Sequence, residues 1–96
     1  MEVVVHSRNG PVPHRLRTAA QRKLAKVTRF APDAERVDVH FAEEHNPRIA
    51  DHSMCAVTVH LRHGRVDAHA VAPQPEIALD RVVDKIKRQT TRRERR

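Results

Sequence analysis

Aromatic side chains are almost missing from this chain: Phe30 and Phe41 are the whole set, with no tryptophan and no tyrosine. Stacking of bases on aromatic faces therefore cannot be its main mode of recognition. Cysteine is just as scarce. Cys55 stands alone, which excludes an internal disulfide and fits a reducing compartment. The two glycines, Gly10 and Gly64, both suit turns, so there is no glycine-rich phosphate loop. No apolar run approaches the roughly 20 residues that a membrane span needs. Met1 leads straight into Glu2-Val3-Val4-Val5, a strand pattern rather than a signal peptide. The expectation is a soluble, cytoplasmic protein without membrane contact.

The chain has length for one small domain, residues 1–96, and its apolar residues are patterned throughout. Val3 to His6 is a β-branched run, closed by Asn9-Gly10-Pro11. Pro13 then suits the first turn of a helix, and Leu16, Ala20, Leu24 and Val27 recur at helical spacing as far as Phe30. Val37, Val39 and Phe41 alternate with polar residues as a second strand, and Glu43 to Asp51 is a polar loop. Cys55, Val57, Val59 and Leu61 alternate as a third strand, Val66, Ala68 and Ala70 as a fourth. A two-residue turn at His63-Gly64 would set Leu61 against Val66, Val59 against Ala68 and Val57 against Ala70, all on one face. Ala72-Pro73-Gln74-Pro75 leads into a second helix, with Leu79, Val82, Val83 and Ile86 as its buried stripe. The order β-α-β-β-β-α, with one apolar sheet face and two amphipathic helices to cover it, predicts a two-layer α+β sandwich.

Charge is unevenly placed. Lys and Arg number 19 against 12 Asp and Glu, for a formal net charge of +7. Residues 13–31 carry six basic side chains and no acid, residues 76–96 eight basic and four acidic, and the other segments five basic and eight acidic. The helical layer is therefore the positive one. At about 100° per residue, Arg81, Lys85, Arg88 and Arg92 share an arc of about 60° opposite the apolar stripe. Arg15, Arg22, Lys26 and Arg29 share a flank of the first helix, whereas Lys23 points inward, its stem partly buried and its ammonium emerging at the edge. Most charge runs are solvated faces, and Asp84 can pair with Arg88 and Arg81. The first helix, however, has no acid of its own, and a polyanion would relieve that repulsion. Phosphate binding by nucleic acid is the expected role.

These helices also resemble those of a known family, the ribosome hibernation-promoting factors and their relative protein Y. Leu16-Arg17 and Lys23-Leu24-Ala25-Lys26 match its Leu-Arg and Lys-Leu-x-Lys pairs. Ala78-Leu79-Asp80 and Asp84-Lys85-Ile86-Lys87-Arg88-Gln89 match its second helix. The resemblance spans essentially the whole chain. It implies the same fold, similar to double-stranded-RNA-binding domains, and docking to ribosomal RNA of the small ribosomal subunit over the messenger and transfer RNA sites. By position, ribosomal-RNA contacts would fall on Lys23, Lys26, Arg29, Lys85, Arg88 and Arg92, with Arg22 and Arg81 as secondary candidates. The implied outcome is translation regulation by ribosome hibernation, with ribosomes paired or held as inactive singles. Two stretches depart from the family: Gln74-Pro75-Glu76 stands where it usually has Asp-Met-Tyr, and the end, Arg92 to Arg96, is basic where protein Y is acidic. The chain corresponds to a short-type factor or to the first domain of a longer one.

Other readings carry less. Strand parity places His6, His40, His60 and His69 on the sheet face away from the helices, with His60 opposite Asp67. A metal- or partner-binding module there would need three or four ligands converging with a second shell. Parity turns Cys55 inward, as a structural thiol rather than a nucleophile. Glu43-Glu44 has no evident catalytic partner. The expectation is a binding protein, not an enzyme, with no cofactor, no metal and no small-molecule substrate. A general structured-RNA-binding or RNA-chaperone domain is the nearest alternative.

Overall fold

The computed structural model describes residues 1–94, with side chains as far as Thr91. Period-two alternation yields four strands: β1 (Glu2–Ser7), β2 (Ala34–Glu43), β3 (Ser53–Leu61) and β4 (Gly64–Ala72). The recurrences at three and four residues yield helices, α1 (His14–Ala25), the single turn α2 (Val27–Phe30) and α3 (Pro75–Glu94). The two-layer α+β arrangement expected from the sequence is the observed one.

The first helical segment differs from expectation in detail. It is split at Lys26 rather than continuous to Phe30. Thr28 Oγ1 donates to the Ala25 carbonyl at 3.1 Å, and the Arg29 N–H bonds to Lys26, three residues back. A hydroxyl that competes for a helical carbonyl and a tightened turn together account for the break. Pro13 precedes the helix instead of opening it. Its ψ of 143° is extended, and its carbonyl accepts the Arg17 N–H at 3.0 Å.

The sheet order is β1-β2-β3-β4, with β1 parallel to β2 and the other neighbours antiparallel. A parallel pair needs a crossover, and α1–α2 supply it. The hairpin of β3 and β4 turns one residue earlier than the sequence suggested. Its turn is Arg62-His63, Leu61 faces Gly64, Val59 faces Val66 and Val57 faces Ala68. A primed turn over His63-Gly64 would demand positive φ at His63, and in the type I′ form at Gly64 as well. Gly10 and Gly64 are the only described residues with positive φ, so His63 is spared and Gly64 opens β4. The pairing moves by two residues, so every side chain keeps its face. His60 consequently lies opposite Arg65, and Thr58 takes the place beside Asp67, donating to it at 2.6 Å.

One face of the sheet and the inner sides of the helices form the core. Leu24, Val27, Val37, Val39, Val59, Leu79, Val82 and Ile86 are fully buried. Each such side chain contributes about 1.5–3 kcal/mol of transfer free energy. Cys55 belongs to this core, and burial pushes its thiol up to about 12. At that value it is no nucleophile near neutral pH. Among the described residues the two buried polar ones are both partnered. Ser53 donates to the Glu43 carboxylate at 2.9 Å, and Thr90 to the Ile86 carbonyl at 2.8 Å. Both phenylalanines serve packing, Phe41 buried and Phe30 half-buried against the core.

Candidate nucleic-acid interface

The outward face of the helical layer carries the basic side chains. Arg22, Lys26 and Arg29 are exposed and have no acidic partner among the described residues. They lie along α1, the Lys26 turn and α2, a stretch without a single carboxylate.

Two other cations of the first helix do find acids, and these come from α3. Arg15 Nε lies 3.6 Å from Glu76 Oε1, and Lys23 Nζ donates to Asp80 Oδ1. The absence of acids within the first helix therefore does not leave all six of its basic groups unpaired. Lys23 behaves as its inward direction suggests, half-buried with its ammonium at the seam between the helices. Glu76, inside the stretch that departs from the family pattern, supplies one of these contacts. Pairs this exposed are worth at most about 1 kcal/mol, so they orient the cations more than they neutralise them.

On α3 the basic stripe is divided by what each side chain touches. Arg88 pairs with Asp84 at 2.9 Å, as the i,i+4 spacing predicts. Arg81 does not join that pair. Its Nη1 donates to the Val71 carbonyl at 2.7 Å, and Lys85 Nζ donates to the His69 carbonyl at 2.8 Å. Both reach sideways onto β4 rather than straight out from the apolar stripe. Lys87, which is not part of the predicted stripe, is exposed without an acidic partner among the described residues. Arg92 and the tail to Arg96 lie outside the residues whose side chains are described. Their omission matters for the charge. Up to Thr91, α3 has only one more basic than acidic side chain, whereas residues 13–31 have six more.

The opposite face of the sheet holds four of the eight histidines, His6, His40, His60 and His69. Asp38 is their hub, accepting His6 Nε2 at 2.9 Å, His60 Nε2 at 2.8 Å and Arg36 Nη2 at 2.8 Å. His40 stacks on His6 with ring centroids 4.4 Å apart, while His69 lies on β4, two strands away from β2. Among the described residues no three such side chains are arranged to hold a metal ion. Burial of Asp38 opposes its ionisation, yet hydrogen bonds from His6, Arg36 and His60 outweigh it and hold the carboxyl well below the usual carboxylate range. A depressed folded-state value adds stability that is present above the unfolded value and lost as pH falls towards the folded one. Asp38→Ala is expected to lower stability by about 1–2 kcal/mol at neutral pH. Thermal melts at pH 7 and pH 2 check this, since the gap to the parent should shrink in acid.

Comparison with known proteins follows the same lines. Residues 3–96 match the family described as sigma 54 modulation protein / S30EA ribosomal protein. No curated protein sequence matches the chain significantly. Among solved structures, a ribosomal subunit interface protein from Coxiella burnetii superposes with a TM-score of 0.88 at 14% identity, over 100% of both chains. The N-terminal domain of Protein Y from Thermus thermophilus superposes with a TM-score of 0.78 at 24% identity, over 96% of this chain and 98% of that one. At these identities the likeness establishes a shared fold.

Proposed function

The chain belongs to the sigma 54 modulation protein / S30EA ribosomal protein family, and on that premise we propose that its helical layer docks into the decoding region of the small ribosomal subunit. Membership makes it a ribosome-associated modulation factor, of a family that is not an enzyme class, and supports work in the cytoplasm. Docked there, it would exclude messenger and transfer RNA by occupancy, and translation would stop without any bond being made or broken.

The observation that carries this reading is the run from His14 to Phe30. It is free of acids and presents Arg22, Lys26 and Arg29 outward without partners among the described residues. Lys23, Lys85 and Arg88 extend the surface. Each already has a partner in the free chain, Asp80, the His69 carbonyl or Asp84, which a phosphate would replace. Recognition rests on phosphate contacts and shape, because both phenylalanines are committed to packing and no tyrosine or tryptophan exists.

A general structured-RNA-binding domain would use the same charges on duplexes anywhere. The two differ in linkage. A plug in the decoding region and its natural occupants must weaken each other's binding reciprocally. Titration of initiator transfer RNA and messenger against labelled protein on small subunits should displace it, with protection from chemical probes between head and body. Ternary complexes without mutual displacement would exclude the plug.

A further inference from the structure

Four large apolar side chains are exposed among the described residues, and two of them, Ile49 and Val71, border the same groove. Its floor is a single row across three strands on the face away from the helices. Ala42 pairs with Met54, and Met54 with Val71. The loop from Glu44 to His52 forms the wall, and its own hydrogen bonds shape it. The Glu44 N–H donates to the His52 carbonyl at 2.7 Å, Glu44 Oε1 accepts the Asn46 N–H at 3.1 Å, and the Ile49 N–H bonds back to Asn46 at 3.1 Å. Ile49 is thus held beside the row, 41% exposed, with Val71 at 45%. The groove encloses about 430 Å³, which suits one or two side chains rather than the face of a helix.

The rim decides what could enter. Glu43, Glu44 and Asp51 stand around it, against Arg8 and a histidine, His52. In a chain of net charge +7 this is an acidic site. It repels phosphate and attracts cations. We propose that the groove is a docking site for an extended basic peptide segment that inserts one large aliphatic side chain over Met54 and Val71, with flanking Lys or Arg on Glu44 and Asp51. The site lies on the opposite face of the sheet from the helical layer, so the segment and an RNA could be held at once. This inference does not depend on the decoding-region reading: no residue lining the groove is an RNA-contact candidate, and Arg81, a secondary one, meets the groove only at the Val71 carbonyl.

The test uses the full chain, labelled with ¹⁵N, and the end-blocked pentapeptide RKLKR. Amide shifts should concentrate at Ala42, Ile49, Asp51, Met54 and Val71. Affinity should fall about tenfold for a peptide with glycine in place of leucine, and again for EELEE. Ile49→Ser and Asp51→Lys, neither in the core, should each weaken RKLKR about tenfold at unchanged melting temperature. Shifts confined to the helices, no shifts at millimolar peptide, or equal binding of the glycine peptide would each overturn the proposal. So would sedimentation of the free chain as a dimer with these same amides protected, which would make a second copy the occupant.

Discussion

Replacing Lys26 and Arg29 together by alanine is expected to weaken binding to the small subunit by about 2–4 kcal/mol, at an unchanged melting temperature. Both side chains are exposed and unpaired among the described residues, so nothing in the folded chain compensates or suffers when they go. The slope of log affinity against log salt should become shallower by about two, roughly one per phosphate contact removed. The same double change at Lys85 and Arg88 should cost less. In the free protein Lys85 already donates to a carbonyl and Arg88 to Asp84, so binding there exchanges partners rather than adding them. Filter binding or sedimentation at three salt concentrations reads all of this. Equal losses for the two pairs would overturn the partner-exchange argument, and no loss for either pair, or a flat salt dependence, would return the basic layer to the status of a solvated face.

Leu24→Ala is expected to destabilise the fold by about 3–4 kcal/mol, the cost of the lost transfer free energy and the void left behind. Leu24 is fully buried where α1 meets the core, with Val27 and Ala20 beside it on the same helical face. For a chain of this size the midpoint should fall by roughly 12–32 °C. An exposed neighbour makes the control: Ala25→Ser should stay within about 0.5 kcal/mol of the parent. Differential scanning calorimetry of the three proteins tests the contrast, and a fall of only a few degrees for Leu24→Ala would show that the helix packs more loosely than described.

What the chain made legible was periodicity. Val57, Val59 and Leu61 alternate so cleanly that their buried face follows directly, and Leu79, Val82 and Ile86 mark the inner side of α3 equally well. Turn chemistry was harder. Gly64 signals a turn but not whether it is central to it or follows it, and the answer depended on His63 avoiding positive φ. The basic helical layer was legible because charge counts need no geometry. Its wiring was not: Arg15 with Glu76 and Lys23 with Asp80 join residues more than fifty positions apart. Arg81 reaching a β4 carbonyl instead of Asp84 likewise depends on how α3 crosses the sheet.

β4 is an edge strand, and strand edges recruit other strands, so folded proteins usually blunt them with charge. Here the blunting comes from outside the strand. Arg81 and Lys85 lay their charged ends over the Val71 and His69 carbonyls, so another chain that paired along this edge would have to displace two hydrated cations. The same side chains stand among the candidates for phosphate contact. A phosphate that draws them off leaves those carbonyls bare, and the free protein is then the better-guarded state. Were Arg81 and Lys85 to meet phosphate as proposed, this edge would be guarded best in the free chain, the condition in which encounters with its own copies are most frequent.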